Sequence, residues 1–215
     1  MLSRRKFLGL SIALGGVAAH TLVWGRTANG ETDAGVASLT QGLWVYHPVE
    51  PITAARLAYE GHSKNGCSYG VFYGILSQLA KGYGEPYNSF PFKMMEFGNG
   101  GIGGYGSICG GLVGASAAIG LFLDGKTRGD VITTLLQWYE KSELPKYKPD
   151  KPIIISGDIP SVAAQTTLCT NSKAAWCNKS GFNPDSKERT ERCYRLSADI
   201  CMKTAELLNA ATGMK

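Results

Sequence analysis

Residues 66–79 read Gly66-Cys67-Ser68-Tyr69-Gly70-Val71-Phe72-Tyr73-Gly74-Ile75-Leu76-Ser77-Gln78-Leu79. Cys67, Val71, Phe72, Ile75 and Leu79 recur three and four residues apart, the spacing of one face of an α-helix. Gly66, Gly70 and Gly74 fall every fourth residue and form a ridge without side chains, against which another backbone can come close. A second ridge, Gly110, Gly114 and Ala118, runs through the apolar stretch from Cys109 to about Leu123, where Asp124-Gly125 supplies a turn. Two such ridges predict two tightly packed helices. With both cysteines at corresponding helix ends, that contact would bring Cys67 and Cys109 together.

Working outward, Pro51 near a start and Gly61 just past an end bracket a short helix holding Ala55, Leu57 and Tyr59. Downstream, Val131, Ile132, Leu135, Leu136, Trp138 and Tyr139 mark an amphipathic helix from about Arg128 to Glu143, and Pro145 stops it. Lys146 to Pro160 is rich in Pro and Lys and reads as a surface connection. Ile153, Ile154 and Ile155 are its only good strand candidate. A short helix from Asn171 to Cys177 precedes a long one from about Pro184 to Ala211, with Cys193, Leu196, Ile200, Cys201, Thr204, Leu207 and Leu208 on one broad face. No fixed-period repeat occurs. The expected fold class is mainly α: a single compact multi-helix domain over residues 49–215, with a glycine-rich loop and little strand, preceded by a segment over 31–48.

The chain opens Ser3-Arg4-Arg5-Lys6-Phe7-Leu8, followed by an apolar run from Gly9 to Ala19 and a stretch of small residues. A positive start and an apolar run too short for a membrane span read as a twin-arginine signal over residues 1–30. The expectation is a periplasmic protein exported already folded, with no stable membrane span after cleavage. Loss of residues 1–30 removes Arg4, Arg5, Lys6 and Arg26 and no acidic residue, so the formal charge falls from +5 to +1. A nearly neutral domain lacks the concentrated basic patch that nucleic-acid binding requires. The remaining length, with 44% hydrophobic residues over the whole chain, suits one domain with a sizeable core.

All six cysteines, Cys67, Cys109, Cys169, Cys177, Cys193 and Cys201, follow the signal. An even count in an exported chain makes a disulfide-stapled binding or structural domain one reading, although a helical domain of this size does not need staples. Folded export also allows a cofactor to be loaded in the cytoplasm and carried across. Thiolate sulfur is soft and suits an iron–sulfur cluster or zinc, with four ligands completing either site. No Cys-x-x-Cys pair occurs, so ferredoxin and zinc-ribbon spacings are absent and any site must be assembled from distant segments. The same absence weighs against a thiol–disulfide oxidoreductase, and that of Cys-x-x-Cys-His against covalent haem. His47 and His62 read as surface or core residues rather than ligands. Cys177 and Cys201 each follow another cysteine by eight residues, about 12 Å along a helix axis. They are therefore left out of the ligand set and read as small buried side chains or as a mutual disulfide.

Gly98-Asn99-Gly100-Gly101-Ile102-Gly103 matches a dinucleotide fingerprint, but Pro91 to Phe97 reads as a short helix where that motif needs a strand. The favoured use is a close-approaching loop that presents Cys109 and turns backbone N–H groups toward cluster sulfurs. Met94 and Met95 read as core filler, and the alternating charges from Asp185 to Arg192 as a solvated face. No Ser-His-Asp set or paired carboxylates occur, and no catalytic residue is named.

Four segments share a further pattern: Asn65-Gly66-Cys67-Ser68-Tyr69-Gly70-Val71-Phe72, Pro86-Tyr87-Asn88-Ser89-Phe90-Pro91-Phe92, Cys109-Gly110-Gly111-Leu112-Val113-Gly114-Ala115 and Glu191-Arg192-Cys193-Tyr194-Arg195-Leu196-Ser197-Ala198-Asp199. In order and spacing, from about residue 50 to 210, the chain resembles the split-Soret cytochromes c and the wider redox family defined by four spaced cysteines, one in a Cys-Gly-Ala-x-x-Gly-like segment. The resemblance implies a helical, dimeric, exported electron carrier that serves redox partner proteins. It also implies that Cys67, Cys109, Cys169 and Cys193 hold an iron–sulfur cluster of two or four irons. Gly111 stands where the wider pattern favours alanine. The haem-attachment motif of the cytochromes is missing, so the expectation is a cluster-only relative, or one with noncovalent haem at most.

Overall fold

The computed structural model describes residues 42–213; the segment read as an export signal, and most of the segment over 31–48, lie outside the described residues. Those described are mainly helical: α1 (Pro51–Asn65), α2 (Cys67–Tyr83), a 3-10 helix (Phe92–Gly98), α3 (Gly110–Phe122), α4 (Gly125–Lys141), α5 (Cys169–Ser180) and α6 (Lys187–Ala211). A two-residue antiparallel pair, β1 (Glu143–Leu144) with β2 (Val162–Ala163), is the one sheet among them.

Both glycine ridges bring backbones together and α2 does pack on α3, but the ridge of Gly70 and Gly74 faces α1 rather than the ridge of α3. A Cβ on Gly70 would stand 2.6 Å from the Ala58 carbonyl oxygen, and one on Gly74 would stand 2.6 Å from the Ala54 carbonyl oxygen. Backbone therefore lies against backbone where α1 crosses α2. On the opposite side of α2, Gly114 of α3 lies against the Ser68 carbonyl. α6 closes the bundle and packs against α1, α2, α3 and α4. Val71, Ile75, Leu76, Leu112, Ile119 and Ile200 are fully buried between these helices.

Several sequence expectations are corrected. α1 continues through Gly61 and ends at Gly66, whose φ of 88° is the left-handed backbone that glycine adopts freely. Gly61 sits within the helix because Gly70 crosses it there, its Cα 3.1 Å from where a Gly61 Cβ would be. Ile153 to Ile155 form no strand. The Ile153 N–H donates to the Tyr59 hydroxyl at 2.8 Å, the Ile154 N–H to Glu191 Oε2 at 3.3 Å, and Arg195 Nη2 donates to the Ile155 carbonyl at 2.7 Å. Buried side chains thus satisfy backbone groups that a ladder would otherwise pair. Met95 fills the core as expected, whereas Met94 is 55% exposed.

The charged start of α6 is not a solvated face throughout. Glu191, Arg192 and Arg195 are all buried. Glu191 accepts from Arg195 Nε and the Tyr59 hydroxyl, both at 2.7 Å, which supplies the charge pairing and hydrogen bonds that burial demands. Upstream of α1, residues 42–50 lie along the bundle, held by Trp44 N–H to the Leu121 carbonyl and by Asn209, which bonds the Tyr46 hydroxyl and the backbone of Val49.

Candidate metal centre

Three cysteines stand at helix starts. Cys67 opens α2, Cys109 caps α3 and Cys169 opens α5. Cys193 lies in the second turn of α6. Unpaired N–H groups and the positive end of the dipole at a helix start favour a thiolate. Burial opposes this and prevails: it pushes the Cys67 thiol up to about 12 and Cys169 up to about 11, and it raises Cys109 as well. Each of these three thiols is raised further by the charge its cysteine neighbours would carry, so the four sense one another. The nearby N–H groups of Gly100 and Gly111 oppose the rise at Cys67 and Cys109.

The loop from Gly98 to Ser107 draws these sulfurs together. A side chain on Gly110 would overlap both the Gly98 carbonyl and Cys67 Sγ, so Cys67 and Cys109 are neighbours only because residue 110 is glycine. The loop then pairs with the start of α5: Cys169 N–H donates to the Ser107 carbonyl at 2.6 Å and Cys109 N–H to the Thr167 carbonyl at 2.8 Å. Gly101, at φ 79°, leaves room for Cys169, whose Cβ would lie 2.9 Å from an added side chain. A close-approaching loop that presents Cys109 is therefore what these glycines form, and a 3-10 helix precedes it where a dinucleotide fold would need a strand.

Cys67, Cys109, Cys169 and Cys193 line a single cavity of about 90 Å³, with His62, Asn99, Tyr139, Ser172 and Arg192 among its other walls. One side is a buried polar network. The Tyr139 hydroxyl and Ser172 Oγ are 2.8 Å apart, Arg192 Nη2 donates to the same Ser172 Oγ at 2.8 Å, and Arg192 Nη1 lies 3.9 Å from Cys193 Sγ. Arg192 Nε is buried without a hydrogen-bond partner. On the other side, His62 Nδ1 is 2.8 Å from Ser197 Oγ, and its ring meets Tyr194 edge-on. Burial pushes the His62 imidazole down to about 3, so it is neutral at ordinary pH.

Among the described residues, no three Cys, His, Asp or Glu side chains converge closely enough to hold a single metal ion. A lone tetrahedral ion with Zn–S bonds of about 2.3 Å would hold its sulfurs about 3.8 Å apart. Four thiols spaced around a cavity with room for several atoms fit a multi-atom inorganic centre better. The orphaned guanidinium N–H on the same wall fits an anionic occupant. All six cysteines are free thiols. Cys201 is fully buried in the main core and Cys177 in a separate cluster with Trp176, so neither reaches the cavity, and the mutual disulfide does not form. Arg192, Tyr139, Ser172 and His62 were not legible as site residues. The available signal for Arg192 was its place four residues before Leu196 and eight before Ile200, on the buried stripe of α6.

Four free cysteines from four elements line one small cavity, the arrangement of a cysteine-rich protein of the redox-active class. Over residues 66–207 the chain matches the family described as "Putative redox-active protein (C_GCAxxG_C_C)", and it belongs to that family. It is also 37% identical over 204 residues to the split-Soret cytochrome c of Desulfovibrio desulfuricans, covering 94% of this chain and 72% of that relative. A solved structure, described as showing a novel iron centre in the split-Soret cytochrome c of that organism, superimposes with a TM-score of 0.77 at 39% identity. It covers 79% of this chain and 72% of the other. No helix among the described residues is long and apolar enough to cross a membrane.

Proposed function

We propose that the protein is an exported, periplasmic electron carrier whose Cys67, Cys109, Cys169 and Cys193 hold an iron–sulfur cluster, and that it works as a homodimer with redox partner proteins. The observation that carries the reading is the lining of one cavity by these four cysteines, with an unpaired buried cation beside them. The iron centre reported for the related cytochrome supports iron as the metal. A volume of about 90 Å³ is far below the roughly 300–1,000 Å³ of pockets that take organic cofactors, which favours a compact inorganic group over haem at this position. A cluster held there would accept and release electrons. The chain's own residues would ligate it with four thiolates and bring the Gly100 and Gly111 N–H groups near the ligand sulfurs. The signal-like start, Ser3 to Leu8, supports export of the loaded, folded protein.

The test is anaerobic purification followed by iron, acid-labile sulfide and haem analysis with an absorption spectrum. Iron with equivalent sulfide and no haem is the expected result, and serine at any of the four positions should lower the iron content. Protein without iron or sulfide would refute the reading. Three disulfides in its place would favour a stapled domain.

A further inference from the structure

We propose that Arg192, the fully buried one of three cations that line the cavity with Lys173 and Arg189, is a counter-charge of the group held by the four cysteines and raises its reduction potential, an inference that rests on the cluster reading. Arg192 is 2% exposed. Arg195, buried on the same helix, is neutralised by Glu191 at 2.7 Å. Among the described residues, Arg192 has no carboxylate within ion-pair distance; its neighbours are the neutral hydroxyl of Ser172 and the sulfur of Cys193. Its Nε–H is buried and bonds to nothing.

A guanidinium keeps its charge, offers five donors and has no acceptor, so it cannot escape the cost of burial by losing a proton. A buried charge is retained where something opposite faces it. What faces Arg192 is the cavity, and a group ligated by four thiolates is anionic there for either cluster type. Its reduction adds one electron from a donor protein and makes it more negative by one. A fixed cation at the wall stabilises the reduced form more than the oxidised form and therefore raises the potential. Because the pair is buried, salt screens it little.

The experiment is an anaerobic redox titration of the loaded protein, followed by visible absorbance, for wild type, Arg192→Met and Arg192→Lys. Arg192→Met should lower the equilibrium constant for reduction more than tenfold, which is about 59 mV for one electron. Arg192→Lys should stay within about threefold of wild type. A potential within threefold of wild type in Arg192→Met, at unchanged iron and sulfide, would overturn the proposal. Iron retained by Arg192→Lys but lost from Arg192→Met also supports a charge role; loss from both, with folded metal-free protein, would point to packing instead. Melting of the metal-free proteins gives a readout that needs no cluster. Arg192→Met should raise the midpoint, because it removes an uncompensated buried charge, and a lowered midpoint would overturn the proposal. Wild-type protein without iron or sulfide would refute the cluster reading by a separate result.

Discussion

The contact between α2 and α3 can be tested with two glycines of one helix. A Cβ at Gly114 would stand 3.0 Å from the carbonyl carbon of Ser68 and 3.1 Å from its Cα, and closer still to its carbonyl oxygen. Each of these atoms is backbone, so relief requires α2 and α3 to separate. Overpacking a close-packed contact costs about 1–3 kcal/mol, and a backbone obstacle belongs at the upper end. The higher helix propensity of alanine returns about 1 kcal/mol. Gly114→Ala should therefore destabilise by about 2 kcal/mol, or lower Tm by about 4–8 °C for a domain of this size. At Gly120, in the same helix, an added Cβ meets nothing within 4 Å. There the propensity gain stands alone, and Gly120→Ala should stabilise by about 0.5–1 kcal/mol. Ser68 adjoins Cys67, and Gly114 lies just over one helical turn beyond Cys109, so Gly114→Ala should also reduce bound iron while Gly120→Ala leaves it unchanged. The assays are thermal melting by circular dichroism and iron analysis on the same preparations. A Gly114→Ala protein that melts at or above wild type would refute the reasoning, because the helices could not then be in backbone contact.

Cys201 donates to the Val71 carbonyl at 3.3 Å inside the core. Cys201→Ala should cost on the order of 1–2 kcal/mol in denaturant unfolding and leave the iron content at the wild-type level, as should Cys177→Ser. Asp199 is held up to about 6 by burial, although the Lys146 and Tyr147 N–H groups bond its carboxylate. A carboxyl raised above its unfolded value of about 3.8 stabilises the fold most when protonated, and that contribution is lost as pH rises through about 6. Asp199→Asn should therefore gain on wild type between pH 4 and pH 7, by up to about 3 kcal/mol; a gap independent of pH in denaturant titrations would contradict this. Replacing Arg4 and Arg5 together by Lys should leave the protein in the cytoplasm, as read by cell fractionation, and undiminished periplasmic recovery would argue against the twin-arginine reading.

Apolar periodicity and the four-residue spacing of glycines determined by themselves that the protein is helical and that its helices approach closely. Both signals are local, since they follow from one helix turning every 3.6 residues. The cysteine spacings likewise excluded ferredoxin-like and zinc-ribbon sites. Only the tertiary structure decided what each feature meets. Gly61 reads locally as a helix stop, yet Gly70 crosses it and the chain continues to Gly66. Ile153 to Ile155 have strand propensity, but Tyr59, Glu191 and Arg195 take their backbone bonds. The charges at the start of α6 look solvated until Tyr59, Ser172 and the cysteine cavity are placed against them. Cys67 and Cys193 become walls of one site through contacts among α1, α2, α3 and α6 that no local pattern records. Burial of a charge and convergence of distant thiols depend on partners far away in sequence, so they become visible only when the chain is packed.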